Sequence, residues 1–289
     1  MSSQRKGLAL AALLLSLAPW AGAAQPVTVV AAENFYGDLA QQVGGPLVQV
    51  TSIMNNPDQD PHLFEASAST ARALSAARLV VYNGVDYDPW MDKLLSAARA
   101  PNRAEIVAGK LLGKKSGDNP HLWYDPATMP AVARAIAGNL TRIDPAHRAD
   151  YQRNLTQVLA RLGVIQARVQ ALRGRTAGKT VTATEPVFGY MAQALGLSMR
   201  NARFQLAVMN NTEPSAADVA AFEHDLKTRQ VSVLFYNNQA SDASAKRMQK
   251  LAQQSGVAVV GVSETMPAGR HYQDWMLSQL DVLEKALSH

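Results

Sequence analysis

Two of the six histidines occur in matching surroundings. His62 sits in Asp60-Pro61-His62-Leu63-Phe64, and His121 in Asn119-Pro120-His121-Leu122-Trp123-Tyr124-Asp125-Pro126. Each reads small polar residue, proline, histidine, leucine, aromatic. Proline fixes its own φ and holds the residue before it extended, and the apolar pair after the histidine anchors the loop in a core. An imidazole held this way has a set position, as a ligand needs. One such loop alone would more often be a turn whose histidine is satisfied by backbone groups. The matched pair points to a joint role.

Glu185 and Glu264 add carboxylates at comparable places. Glu185 follows the strand expected over residues 179–183, in Thr184-Glu185-Pro186-Val187-Phe188-Gly189-Tyr190. Glu264 follows the strand expected over residues 257–262, in Ser263-Glu264-Thr265-Met266-Pro267. Ligands of open α/β sheets bind beyond the carboxyl ends of strands, where both glutamates lie. A carboxylate there is also a common helix cap, and that reading stays open for each. Together, His62, His121, Glu185 and Glu264 make a four-residue metal site, two imidazoles from the first half of the chain and two carboxylates from the second. Two carboxylates balance a divalent cation, so its burial costs far less than that of a bare ion. Four protein donors need leave no position for a reacting water, which argues for holding a metal and against catalysis.

The rest of the chain must bring these residues together. Strand patterns over residues 27–31, 47–53, 79–82 and 105–107 alternate with helical spacing over 35–43, 67–76 and 90–98. Alternation at this pitch predicts a parallel sheet covered by helices. A helix from about Pro126 to Leu140 follows. Asp144-Pro145 then reads as an N-cap with proline in the first turn. Tyr151, Leu155, Val158, Leu159, Leu162, Ile165, Val169 and Leu172 recur at threes and fours, which is one helix longer than globular helices usually are and a candidate rigid connector. The alternation resumes with strands over 179–183, 231–236 and 257–262 and helices over 189–195, 216–226, 243–253 and 273–287. The expected fold class is α/β, with two α/β lobes (parallel-type sheets covered by helices) joined by one long rigid helix. The expected divisions are an N-terminal lobe over 25–143, the connecting helix over 144–173 and a C-terminal lobe over 174–289.

Residues 1–24 stand apart. Arg5 and Lys6 precede an apolar run from Leu8 to Leu17, and Ala21 and Ala23 fit an A-x-A cleavage pattern. This reads as a secretory signal peptide cut near Ala23 or Ala24; the run is shorter than the ~20 residues a spanning helix needs. The absence of Cys excludes disulfides, a Cys-ligated zinc site, an iron–sulfur cluster, a thiol nucleophile and the lipidated Cys of a bacterial lipoprotein. The expectation is an exported periplasmic protein without a lipid anchor. The 289 residues, 47% hydrophobic, suffice for one large or two medium domains with a full core. The formal charge is +5, but the densest basic cluster, Lys110, Lys114 and Lys115, sits in a Gly-containing loop. Aromatic residues are only 6%. A nucleic-acid surface is therefore not expected.

In their number and order these motifs resemble the metal-specific periplasmic solute-binding proteins of ABC importers, the zinc- and manganese-binding group, over nearly the whole chain after residue 24. The Asp60-Pro61-His62 loop is similar to that family's first ligand motif, and Asn119-Pro120-His121-Leu122-Trp123 with Asp125-Pro126 to its second. Phe188-Gly189-Tyr190 is similar to the aromatic-Gly-Tyr that follows the third ligand. Glu213-Pro214-Ser215 with Asp218 matches a motif opening a second-lobe helix, and Val262-Ser263-Glu264-Thr265-Met266 sits where the family carries its last acidic ligand. The resemblance implies capture of a divalent transition metal in the inter-lobe cleft, delivery to an ABC-transporter membrane permease, a monomer, and no catalysis. The chain also departs from the pattern. The third ligand, often His in zinc-type members, is Glu185; the last, usually Asp, is Glu264; and residues 109–119, where zinc-type members frequently carry a His-rich loop, contain no His. Oxygen donors favour Mn²⁺ or Fe²⁺ and imidazole suits Zn²⁺, which also outcompetes Mn²⁺ at most sites. The donor types thus suggest a manganese-type importer and leave zinc open.

Two other readings use the same residues. A secreted metallo-hydrolase would need an open coordination position and a separate base, and neither H-E-x-x-H nor G-x-S-x-G occurs. A carrier of a metal chelate would share the long-helix architecture but would not need paired Pro-His loops. His147, His224, His271 and His289 are expected at the surface, with His271 the nearest in sequence to Glu264.

Overall fold

Parallel strands covered on both faces are apolar along nearly their whole length, and the central strands here follow that rule. The computed structural model describes residues 25–57, 64–65, 67–239 and 242–288; the expected signal peptide and His62 lie outside them. The first lobe runs β1 (Val27–Glu33), α1 (Asn34–Gly44), β2 (Val48–Met54), α2 (Ala68–Ala76), β3 (Leu79–Tyr82), α3 (Trp90–Ala97), β4 (Ala104–Val107), α4 (Ala108–Leu111) and α5 (Thr128–Ile143). The connecting helix is α6 (Arg148–Thr176). The second lobe runs β5 (Thr180–Ala183), α7 (Gly189–Ala194), β6 (Ser198–Arg200), α8 (Ala202–Met209), α9 (Ala216–Lys227), β7 (Val233–Asn237), α10 (Ala243–Ser255), β8 (Ala258–Val262) and α11 (Tyr272–Leu287). β3 and β7 are buried at every position. Sequence periodicity does not reveal β6, three residues long at a sheet edge, or α8, which follows it directly.

Each lobe holds one four-stranded sheet, ordered β2-β1-β3-β4 in the first and β6-β5-β7-β8 in the second. All pairings are parallel. The strand order reverses between β1 and β3, and between β5 and β7. At such a reversal the connections leave in opposite directions and open a crevice beyond the carboxyl ends of the strands. Glu33 closes β1 and Asn83 follows β3; Glu185 follows β5 and Asn237 closes β7.

The helix α6 spans 29 residues, roughly 43 Å at 1.5 Å per residue. Tyr151, Val158, Leu162, Ile165, Val169 and Leu172 form its buried stripe, packed on α1, α5 and α11. On its outer side Arg168 pairs with Asp281 (2.8 Å) and with Glu284, and Arg175 reaches Glu284 at 2.5 Å, tying it to α11. Asp144 does not cap this helix. It accepts from the Tyr151 hydroxyl (2.8 Å) and pairs with His147 Nδ1 (2.6 Å), and Pro145 opens a 3-10 turn over Pro145–His147. The α-helix therefore begins at Arg148 instead of 144 and continues past 173 to Thr176.

The two lobes share one core, and its middle is aromatic. Phe35 of α1 stacks on Trp123 with ring centroids 4.7 Å apart and lies 6.2 Å from Trp275 of α11. Tyr124 meets Trp275 at 5.8 Å and Phe188 at 5.3 Å, and Phe188 stacks on Phe235 of β7 at 4.4 Å. Polar tips close the seam: Tyr124 Oη donates to the Ser263 carbonyl (2.8 Å) and Tyr272 Oη to the Trp123 carbonyl (2.6 Å). One face of α1 adds a second row. Asn34 exchanges hydrogen bonds with Met266, and Asp38 accepts from the Tyr272 amide (2.9 Å) and pairs with His271 Nδ1 (2.7 Å). Among the described residues no helix is long and apolar enough to cross a membrane.

Removing the Tyr272 hydroxyl leaves the Trp123 carbonyl buried and unpartnered. Tyr272→Phe is expected to cost about 1–3 kcal/mol, read as a lower midpoint in urea unfolding. An unchanged midpoint would mean that this hydrogen bond does not hold the lobes together.

Candidate metal centre

The second Pro-His loop folds as its sequence demands. Leu122–Tyr124 forms a 3-10 turn whose three side chains are all buried, which pins His121 from one side. Asn119 pins it from the other. The Asn119 amide nitrogen donates to the Pro186 carbonyl of the second lobe (2.8 Å), so its Oδ1 is the acceptor. That oxygen takes the His121 backbone N–H (3.1 Å) and His121 Nδ1 (2.7 Å). Nδ1 therefore donates, which leaves Nε2 as the nitrogen turned toward the second lobe and available to a metal. The ring sits edge-on between Tyr87 (6.1 Å) and Trp123 (5.4 Å). Gly189 makes room for this arrangement, since a Cβ there would stand 2.9 Å from Asn119 Nδ2. Tyr190 Oη donates to the Asn119 carbonyl (2.9 Å).

The two glutamates come from the second lobe. Glu185 precedes a 3-10 turn, Pro186–Phe188, and makes no side-chain cap bond there, so its carboxylate is not a helix cap. Glu264 lies in the segment between β8 and α11, held by Gln239 Oε1, which accepts from the amides of Glu264 (2.6 Å) and Thr265 (3.1 Å). Asn237, at the end of β7, joins the two. Its Oδ1 accepts from the Gln239 amide (3.1 Å), which turns Nδ2 toward Glu264 Oε1 (2.7 Å) and Glu185 Oε2 (3.1 Å).

His121 Nε2 stands 3.4 Å from Glu264 Oε2, with both side chains wholly shielded from solvent. Two lone-pair acceptors at that distance, out of water, repel unless a proton or a cation lies between them. The structure thus brings His121, Glu264 and Glu185 to one inter-lobe cleft, the first two in contact and the third linked through Asn237. Among the described residues no three His, Asp or Glu side chains converge closely enough to enclose an ion by themselves; the fourth expected ligand, His62, lies outside them. His271 is exposed and pairs with Asp38, away from this cluster, and His224 is exposed on α9.

A family model described as ZnuA, zinc-uptake complex component A periplasmic, matches residues 29–286. The chain belongs to that family. The metal ABC transporter substrate-binding lipoprotein ScbA of Streptococcus cristatus is 21% identical over 280 residues, covering 91% of this chain and 89% of its own length. The manganese-binding lipoprotein MntA of Bacillus subtilis is 22% identical over 244 residues, covering 81% and 78%. Among solved structures, the periplasmic zinc binding protein TroA from Treponema pallidum superposes with a TM-score of 0.76 at 20% identity, over 91% of this chain and 99% of that one. Two parallel-sheet α/β lobes and a long connecting helix are the fold the ZnuA-family chain shares with it.

Sequence reasoning missed the buried groups on the first-lobe side of this ZnuA-family cleft. Asn83-Gly84 marks a turn in the sequence, but not what the turn supports. Gly84, Val85 and Asp86 all have positive φ (71°, 56° and 62°), which costs energy for the β-branched Val85. The loop is closed by Asp88, whose carboxylate accepts from the amides of Asn83 (2.7 Å) and Gly84 (2.8 Å). It carries Tyr87 to a buried place beside His121 and Glu264, where burial and then the Glu264 charge push its hydroxyl pKa up. Behind it Glu33 faces Asp88. Burial, followed by the Asp88 charge, pushes the Glu33 carboxyl well above the usual carboxylate range, and burial pushes Asp88 to about 6. Asp88 has the two amide donors, so Glu33 is the partner that keeps a proton.

The sign of the resulting pH dependence follows. Between the ordinary carboxylate pKa of ~4 and their raised folded values, the folded state binds more protons than the unfolded chain, so stability falls as pH rises. The metal-free protein is expected to lose Tm from pH ~4 upward through about 6, and Glu33→Gln to flatten that slope. Parallel Tm–pH curves for wild type and variant would show that this pair carries no such proton.

Proposed function

We propose that this protein is the periplasmic solute-binding component of an ABC importer, which captures a divalent transition metal, Mn²⁺ or Zn²⁺, with Fe²⁺ as a further candidate, and hands it to a membrane permease. The observation that carries the reading is the buried pair of acceptors, His121 Nε2 and Glu264 Oε2, 3.4 Å apart. A divalent cation between them would satisfy both, and the surrounding groups are arranged to hold them there. Asn119 fixes the imidazole tautomer, and Asn237 holds both carboxylates. His121 and His62 supply nitrogen from the first lobe, and Glu185 and Glu264 supply oxygen from the second. The ion is cargo and undergoes no reaction, so the protein acts as a carrier. Residues 1–24 direct export and are removed, the mature chain has no Cys to carry a lipid, and the carrier works as a monomer.

The shared aromatic core and the α6 brace favour capture with little change in the lobe angle. Release then requires the permease to draw ligands away, because spontaneous opening would have to break the Tyr124 and Tyr272 seam.

Metal-stripped protein is expected to gain thermal stability with Mn²⁺, Zn²⁺ or Fe²⁺ added singly, by ~2.7 kcal/mol for an ion at a hundred times its Kd. His121→Ala should abolish the gain. Acidification should shrink it, because protons compete for Nε2 and the carboxylates. If none of the three ions raises the unfolding temperature, the metal site is wrong. N-terminal sequencing of the exported protein should begin at Ala24 or Gln25; an intact Met1 would refute cleavage.

A further inference from the structure

Lysines crowd one loop beside the inter-lobe cleft, an unfavourable setting for the capture of a cation. Lys110, Lys114 and Lys115 line a cavity of ≈ 290 Å³. Its opposite wall is the strained Gly84–Asp86 loop with Asp88; Tyr87 is not part of that wall and lies instead beside His121 in the cleft. The lysine wall leads on to Asn119, which orients the His121 ring.

The two walls are locked together. At the base the Gly109 N–H donates to the Asn83 carbonyl (2.9 Å), and a Cβ at 109 would stand 2.3 Å from Val85 Cγ2. Farther out, Ser116 Oγ and the Gly117 amide both donate to Asp86 Oδ2, at 2.6 and 3.1 Å. The cavity is therefore a built space between two loops, each leading to a neighbour of His121.

The side chains left without a partner there are cationic. Asp86 is engaged by Ser116 and Gly117, Asp88 by the amides of Asn83 and Gly84, and Asp92 accepts from Tyr82 Oη at 3.4 Å. Lys114 Nζ lies over the Tyr190 ring of the second lobe, 4.7 Å from its centroid. Among the described residues, Lys110 and Lys115 have neither an ion pair nor a side-chain hydrogen bond. Two bare ammonium groups on one cavity repel each other, and an oxyanion between them satisfies both. A doubly charged anion matches them in charge, and the volume admits a phosphate or a short dicarboxylate. Left bare, the same charges disfavour a divalent cation in the adjoining cleft. An anion over them removes that repulsion and ties together the loops that bear Tyr87 and Asn119.

We propose that this cavity binds a small doubly charged oxyanion, a phosphate or a dicarboxylate, between Lys110 and Lys115, and that its occupancy tightens metal capture in the cleft. The coupling rests on the metal-carrier reading; the anion site does not.

The test titrates metal-free protein by calorimetry with inorganic phosphate alone and with succinate alone, at an ionic strength fixed with sodium chloride. At least one should bind saturably, and which of the two binds tighter separates the two sources of the charge. The double variant Lys110→Ala, Lys115→Ala should weaken that binding at least about tenfold, the scale of losing a charged hydrogen bond. A control, Lys246→Ala with Lys250→Ala, removes the same charge from exposed positions on α10 and should leave it unchanged. No saturable binding, or equal weakening in the control, would overturn the site. Zn²⁺ affinity, measured at free Zn²⁺ set by a chelating buffer, should rise at least about fivefold when the bound anion replaces chloride, the low end of coupling between distinct sites. The cavity variant should lose this dependence. Anion binding with no change in Zn²⁺ affinity would overturn the coupling. Failure of wild type to bind Zn²⁺ in either buffer would instead overturn the metal-carrier reading.

Discussion

A ring nitrogen and a carboxylate oxygen from different lobes, His121 Nε2 and Glu264 Oε2, held 3.4 Å apart and shut away from solvent, form a contact a protein must be built to hold. Neither can move. Asn119 ties the far nitrogen of the ring, Trp123 and Tyr87 flank it, Gln239 grips the Glu264 backbone, and Asn237 takes the other Glu264 oxygen. The strained Gly84–Asp86 loop serves the same end, since its conformation delivers Tyr87 to the cleft wall. Conformations of this kind persist where surrounding structure over-determines them, as the two amide bonds to Asp88 do here.

That contact also dictates how the lobes meet. Its two members come from different sheets, so their spacing is only as fixed as the seam between the lobes. An aromatic layer running from Phe35 to Phe235 fills that seam directly beneath the cleft, and large rings at close packing density tolerate little sliding. Asn119 is the finest example of the coupling: one side chain orients a ring in the first lobe and holds the backbone next to Glu185 in the second.

Much of this was legible in the sequence, and the reasons differ by residue. The strands showed because central parallel strands are apolar throughout, and the long helix showed because its buried stripe keeps a three-four rhythm from Tyr151 to Leu172. Its start was legible in position, with Asp144 before the turn and Pro145 in it, but not in kind: the first turn is 3-10 and Asp144 uses its carboxylate on His147 and Tyr151. His121 could be singled out because its loop matches the one around His62, and Glu185 and Glu264 because each comes directly after an apolar strand pattern. Glu33, Asp88 and Asn237 did not show. Each lies in or beside a buried strand end, and only the strand order, which brings β1 next to β3 and β5 next to β7, reveals that they face a crevice. The chain order conceals that adjacency.

The brace along α6 and the aromatic seam also bear on how a loaded molecule announces itself. A jaw that swings through a wide angle changes its outline, and a partner can feel for that outline. This molecule has a stiff spine and a cemented joint, so its silhouette carries little news. On the metal-carrier reading, what changes on loading is charge: a divalent ion enters beside His121 and Glu264. The membrane partner must then sense an altered electrostatic potential at the mouth of the cleft, a signal that fades within about 10 Å at ordinary salt and so obliges the two proteins to dock face to face before the message can be read.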